Sequence, residues 1–567
     1  MALTRLVVGL AALLSFQCCQ AKTVTHDWNV TWTTANPDGL YDRKVVGING
    51  QWPLPVVEVE KGDRLVVNMY NGLGDKNTSI HWHGLYQNGT NNMDGPAMVT
   101  QCPILPGQSF TYNFTVNQNG TYWYHCHTDW CYPDGYRQAL VVHDRESPFK
   151  DMYDEEMVVT MSDWYHNMTE DIKGTFITPI NPDGDEPIPN AFLFNDTMYS
   201  NITVQPSRTY LIRLVNIAAF VSQYFYIEGH TFKIVEIDGV YTEPVETDMV
   251  YLAAAQRYSI LVMTKDTADK NYPIVIVADS DMLDTIPADL KLNQTNWLEY
   301  DANAPHPQAV MPVDDSTKLY PFDNMDLTPY DRMPLLPEPD LTINVTVSME
   351  QLGDGSGYAF FNNISYVKPQ VPTLYTALSS GELATNPSIY GESTNPFVLE
   401  HNQVVDLILN NNDTGSHAFH MHGHNFQLIN RFPAYSKHFF DYEDDSVDPV
   451  TYDPSNHTAF PSVPARRDTF VVPPQGYFVI RFVADNPGVW MFHCHVDWHL
   501  MQGLALTLVE APVQIQERVS VTGEQFGVCR AAGIPYEGNA AGNSENLLDL
   551  TGQSMQKPWF ENDELPY

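Results

Sequence analysis

Basic residues are scarce in this 567-residue chain: 29 Lys and Arg face 69 Asp and Glu, a formal net charge of −40 at pH 7. A surface of that sign repels phosphate, which excludes nucleic acid and an anionic membrane as partners. The charge serves solubility and is compatible with attracting cations, but it names no substrate. Long apolar runs are also few. One occupies residues 6–16 behind Arg5, and with Cys19-Gln20-Ala21 as a small-residue cleavage site it has the layout of a secretory signal over residues 1–21. No later stretch approaches the roughly 20 apolar residues that cross a bilayer. Near the C-terminus stands the polar Glu561-Asn562-Asp563-Glu564, so the expectation is a secreted or cell-wall protein with no transmembrane anchor. Thirteen Asn-x-Ser/Thr acceptors, among them Asn77, Asn88, Asn113, Asn293, Asn344 and Asn363, fit glycosylation on that route. Cysteines number seven, and Cys18 and Cys19 leave with the signal.

Aromatic content of 12%, with 40 Pro and 33 Gly, favours strands broken by turns over long helices. Segments such as Leu65-Val66-Val67-Asn68-Met69-Tyr70 and Tyr477-Phe478-Val479-Ile480-Arg481-Phe482-Val483 predict β-strands of a sandwich. The fold class is therefore all-β, and the length predicts three or four domains, of which three is the expected count. Their expected spans are 22–147, 150–302 and 341–567, with a Pro-rich linker over 303–340.

Histidine is where the chain is rich. Eleven of 19 histidines fall in four short segments: His81-Trp82-His83, His125-Cys126-His127, the run from His417 to His424, and His493-Cys494-His495 with His499. On a strand, alternate side chains share a face, so each His-x-His pair presents two imidazoles to one side. His493 and His495 then project one way and Cys494 the other, and one strand touches two metal centres. A thiolate with imidazoles is the ligand set of a blue-copper site, while clustered imidazoles suit copper that meets oxygen. Two segments come from the first quarter and two from the last third, which predicts a metal cluster where the ends of the chain meet.

In order and spacing these segments resemble the copper-binding motifs of the multicopper oxidases. The resemblance implies three tandem cupredoxin-like domains (Greek-key β-barrels or sandwiches) and four copper ions, one type 1, one type 2 and two type 3. It implies His417, Cys494 and His499 as type 1 ligands, His81 and His420 as type 2 ligands, and His83, His125, His127, His422, His493 and His495 as type 3 ligands. His424 is structural. Leu504 stands at the axial type 1 position, where it cannot ligate, so a three-coordinate and oxidising site is expected. The family pattern bridges Cys102 to Cys529, as suits an oxidising compartment. Between the type 3 histidines the family usually has serine, and here stands Cys126. Cys126 and Cys131 either bridge or stay as buried thiols, and no histidine partners are evident for a second copper–thiolate link. Asp94 and Asp497 occupy the positions of proton-relay acids, Asp497 replacing the more usual glutamate with a shorter reach.

The resemblance narrows toward the fungal ferroxidase branch, in which acidic residues hold Fe(II) beside a type 1 histidine. Glu186, Asp284 and Asp413 match those positions, and Tyr358 is a fourth candidate. Carboxylates are hard anionic ligands that stabilise Fe(III) more than Fe(II), which eases oxidation. The implied activity is one-electron oxidation of Fe(II) coupled to four-electron reduction of O2 to water, with an iron permease as a partner of such enzymes. Two alternatives stand beside it: a laccase-like oxidase of phenols or pigment precursors, and a non-catalytic copper-binding cell-wall glycoprotein. A metal store has no need of Cys494 linked to a histidine cluster.

Overall fold

The structure, a computed structural model, describes residues 21–128, 130–310, 319–432 and 448–559. The expected signal lies outside the described residues except for Ala21, and so does the polar tail at 561–564. The chain forms three cupredoxin-like sandwiches, each built from two sheets. In the first, Arg43–Ile48, Thr23–Ala35, Arg64–Asn71 and Ser109–Thr115 form one sheet, and Val57–Glu60, Arg137–His143, Gly120–His125 and His81–His83 the other. The second and third each pair a six-stranded with a five-stranded sheet.

One ladder recurs in all three. The first strand pairs in parallel with a later one: Thr23–Ala35 with Arg64–Asn71, Glu155–Trp164 with Thr209–Asn216, and Leu341–Gln351 with Val404–Asn411. The two larger sandwiches also share a register shift at matching places, at Ile234/Glu236 and at Leu428/Asn430. Alternation forms these strands: in Arg64–Asn71, Leu65, Val67 and Met69 are buried while Arg64, Asn68 and Tyr70 are exposed. Strands near the site are different. Gly488–Cys494 is buried at every residue, as a strand covered on both faces must be.

The ends of the chain meet in an apolar cluster in which Trp82, Ile104 and Tyr112 pack with Val489, Ile515 and Val528. A disulfide between Cys102 and Cys529, 427 residues apart, fastens the same junction. The Pro-rich stretch docks on the larger sandwiches, Tyr330 donating its amide to the Tyr241 carbonyl and Leu336 to the Gln427 side chain. Among the described residues no helix is long and apolar enough to cross a membrane.

Of the His-x-His pairs only His81 and His83 lie together within a strand; His125 and Cys494 are the last residues of theirs, and His422 follows the strand His417–Met421, which holds His417 and His420. Strand alternation therefore does not by itself place His127, His422 and His495. Backbone bonds past the strand ends do so: the His495 amide donates to the Ala418 carbonyl at 2.6 Å and that of His422 to the Met491 carbonyl at 2.9 Å.

Candidate metal centre

Cys494 ends its strand with its side chain fully buried, and the chain turns at once into the short helix Asp497–Met501. That turn brings His499 back onto Cys494, Nδ1 to Sγ at 3.4 Å. The neighbouring strand His417–Met421 supplies His417, whose Nδ1 lies 3.8 Å from the same sulfur and 3.0 Å from His499 Nδ1. Three donor atoms thus converge from two adjacent strands and a helix. Leu504 closes the turn, its amide donating to the His499 carbonyl at 2.9 Å, and it is fully buried with no ligand atom to offer.

On the far side of the strand the other histidines gather. His83 stacks on His420 with ring centres 3.7 Å apart, His81 on His422 at 3.9 Å, and His495 lies 5.0 Å from His83. His422 and His493 turn their Nε2 atoms toward each other at 3.1 Å. His81 Nε2, His83 Nδ1, His125 Nε2, His127 Nε2, His420 Nε2 and His495 Nε2 are buried ring nitrogens with no hydrogen-bond partner. Such orphans are costly unless something binds them. The opposite ring nitrogens are committed: His125 Nδ1 to the Cys126 carbonyl, His493 Nδ1 to the Cys494 carbonyl, His81 Nδ1 to the Asp94 carbonyl and His420 Nδ1 to the Asp468 carbonyl, each at 2.9 Å. Donating one N–H fixes the tautomer and aims the other lone pair at the cluster. Burial holds His83, His125, His127, His422 and His495 well below the ordinary imidazole value, with neighbouring histidines adding to it. They are neutral at pH 7, the form that binds a metal. On donor chemistry and on orphaned atoms, both groups fit copper.

Asp94 is fully buried and spans the cluster, Oδ2 to His422 Nδ1 at 2.9 Å and Oδ1 to His81 Nδ1 at 3.2 Å. Its neighbour Gly95, at φ +103°, admits no side chain: a Cβ there would lie 1.8 Å from the Ile80 carbonyl oxygen. Asp497 lines a 330 Å3 cavity with His125, His127, His493 and His495, and one of its oxygens is buried without a partner. Burial, with Asp163 beside it, pushes that carboxyl up to about 7. Cys126 lines the same cavity and is bridged to Cys131. Cys494 is the free cysteine among the described residues. Alkylation of the unfolded, unreduced chain should therefore label Cys494 and neither Cys126 nor Cys131; label on Cys126 or Cys131 by peptide mass mapping would show that pair open.

A second cavity, of 310 Å3, opens over the Cys494 group and is lined by Glu186, Asp284, Asp413 and Thr414 together with His499. Here both histidines turn their Nε2 atoms outward onto carboxylates, His417 to Asp413 Oδ2 at 2.9 Å and His499 to Glu186 Oε1. Burial pushes Glu186 up to about 7, and burial with the neighbouring Glu186 pushes Asp284 to about 6. Burial acts on Asp413 too, but the hydrogen bond and charge of His417 outweigh it and hold Asp413 below the ordinary carboxylate value. Crowded carboxylates of this kind are relieved by a cation. Tyr358 is not among the cavity's lining residues; its hydroxyl donates to Asp354 Oδ2 at 2.8 Å. His424 also stands apart, paired with Glu510 at 2.9 Å.

Asp468 belongs to the site and escaped the sequence reading. Fully buried, it faces His83 Nε2 at 3.4 Å and His420 Nδ1 at 3.6 Å, and Arg257 clamps both its oxygens at 2.7 and 2.6 Å. The available signal was Arg466-Arg467-Asp468 ahead of a strand, a doublet of arginines in a chain poor in bases.

Multicopper oxidase family models match residues 29–147, 155–303 and 366–514. The iron transport multicopper oxidase fetC of Epichloe festucae is 51% identical over 553 residues, covering 97% of this chain and 86% of that one. This chain is a multicopper oxidase. FET3 of Saccharomyces cerevisiae, also an iron transport multicopper oxidase, is 48% identical over 562 residues, 98% of this chain and 86% of that protein. Among solved structures, Fet3p, a multicopper oxidase that functions in iron import, matches with a TM-score of 0.90 at 46% identity, covering 95% of this chain and all of that one. A laccase from Botrytis aclada matches with 0.76 at 27% identity, over 90% and 91%. As a multicopper oxidase, the chain is a copper-dependent oxidoreductase that uses O2 and holds one type 1, one type 2 and two type 3 coppers.

Proposed function

We propose that this multicopper oxidase is a ferroxidase, oxidising Fe(II) to Fe(III) one electron at a time at the cavity of Glu186, Asp284 and Asp413. The observation that carries the reading is the double orientation of His417 and His499, with Nδ1 toward Cys494 and Nε2 on a carboxylate. Iron held by those carboxylates sits one imidazole away from the sulfur. The relatives named for iron transport favour the same donor over a phenol.

In this assignment His417, Cys494 and His499 would hold type 1 copper, with Leu504 packed beside them and offering no ligand atom. His81 and His420 hold type 2 copper; His83, His125, His127, His422, His493 and His495 hold the type 3 pair. Bound copper supplies one-electron storage and the four-electron reduction of O2 to two waters. The protein supplies the rest. Glu186 and Asp413 bind Fe(II) and favour the oxidised ion, the rings of His499 and His417 carry its electron inward, and the carbonyl of Cys494 leads on to His493 through a 2.9 Å hydrogen bond. Asp94 and Asp497 hold protons beside the histidine cluster. Tyr358 is left as a bystander, since its hydroxyl is committed to Asp354. The domain spans 22–147, 150–302 and 341–567, passage through the secretory route as a glycoprotein and delivery of Fe(III) to an iron permease complete the proposal.

Kinetics of Glu186→Ala/Asp413→Ala separate this from phenol oxidation. The expected result is a fall of at least roughly 10- to 100-fold in kcat/KM for Fe(II), since removing even the groups behind a metal's ligands costs that much, with phenol oxidation retained. Equal loss of both activities would sink the iron site.

A further inference from the structure

A modifiable residue adjoins the lining of the acidic cavity in sequence. Asn412 stands one residue before Asp413, where the chain leaves the strand Val404–Asn411, and Asn412-Asp413-Thr414 is an Asn-x-Thr acceptor. Its backbone is fixed: the Asn412 amide donates to the Val347 carbonyl at 3.1 Å, the Asp413 amide to Asn411 Oδ1 at 3.0 Å, and the Gln475 amide to the Asp413 carbonyl at 2.9 Å. Its side chain is exposed and, among the described residues, makes no hydrogen bond. At another acceptor, Asn201, the amide nitrogen is engaged by Glu299 at 3.0 Å. Asp413, Thr414, Gly415 and Ser416 all line the cavity. At about 3.8 Å between consecutive Cα atoms, anything attached to Asn412 is rooted within two residues of that lining.

The cavity, at 310 Å3, reaches the size of sites that accept small organic molecules, so its walls alone do not exclude an aromatic donor. We propose that an N-linked oligosaccharide on Asn412 narrows the mouth, admitting Fe(II) and holding off phenolic donors. In the attachment the Asn412 amide nitrogen bonds to the anomeric carbon of a lipid-pyrophosphate-linked oligosaccharide. The bond from that carbon to the pyrophosphate breaks, the lipid pyrophosphate leaves, and the amide loses one proton. The proposal rests on the ferroxidase reading for its substrate and on the secretory route for its sugar.

The test uses the full chain purified from a eukaryotic secretory host. Glycopeptide mass spectrometry should find Asn412 occupied. Asn412→Gln should raise kcat/KM for a bulky phenol by about tenfold, at the low end of what pocket shape discriminates, and leave that for Fe(II) within about twofold. Asn456→Gln, at an exposed acceptor that does not line the cavity, should change neither. Endoglycosidase trimming of the wild type should reproduce the phenol gain without any substitution. An unmodified Asn412, or a phenol-to-iron ratio unmoved by both treatments, overturns the gate and leaves the iron site standing. Equal loss of both activities in Glu186→Ala/Asp413→Ala overturns the iron site while leaving the occupancy of Asn412 as measured.

Discussion

Cys494→Ser should abolish O2 consumption with every donor and remove the intense visible absorption of a copper–thiolate site. The sulfur is the one soft donor where the two imidazoles of His417 and His499 meet, at 3.8 and 3.4 Å. A serine oxygen is a hard donor of similar volume that does not ionise at neutral pH, so the ligand set of a blue-copper site is lost. The substitution also buries a hydroxyl where burial already holds a thiol far above its ordinary value. That costs about 1–3 kcal/mol, an affordable loss for a domain anchored through Cys102–Cys529. The histidine cluster on the far side keeps all its orphaned nitrogens. Metal analysis should therefore find three coppers per chain in place of four, with folding unchanged by circular dichroism. Turnover that survived in this variant would mean that electrons reach the cluster by a path other than Cys494.

What could be read in the sequence and what could not divides along the range of the signal. Cys494, His493 and His495 stand side by side, and the other histidines fall in equally short segments, so type and spacing point to copper without any knowledge of the fold. Glu186, Asp284 and Asp413 carry no local pattern among 69 acids; family position picked them out, and the shared cavity gives them a physical reason. Tyr358, the fourth candidate, turns its hydroxyl to Asp354 instead. The strand rule placed His81 and His83 correctly but failed past the strand ends, where long-range backbone bonds take over. Asp468 had only the neighbouring arginine doublet to mark it. Its partner Arg257 lies 211 residues away, and no short motif joins them.

That pair carries the largest expected effect on stability. Arg257 and Asp468 are fully buried and doubly hydrogen-bonded, and Arg467 grips Asp238 beside them at 2.7 and 3.0 Å. Two charges come from the second sandwich and two from the third, so the network fastens one to the other. Burial alone would raise the Asp468 carboxyl; the Arg257 guanidinium reverses this and holds it far below the ordinary range. Arg257→Leu leaves Asp468 buried without its partner, a loss of about 3–5 kcal/mol. At 1.4 kcal/mol per decade that is roughly 10^2- to 10^4-fold in the folded population. Asp468 also faces His83 and His420, so the loss should reach the metal. Thermal unfolding followed by calorimetry should show the melting of the second and third sandwiches lowered and separated, and copper should leave the variant at a chelator concentration that the wild type withstands. Arg257→Lys keeps the charge and forfeits the paired geometry, so it should recover part of the stability. If Arg257→Leu melts with the wild type, the network is not what joins the sandwiches. If it melts early yet retains copper, the clamp on Asp468 serves the interface alone and His83 and His420 are positioned by their other contacts.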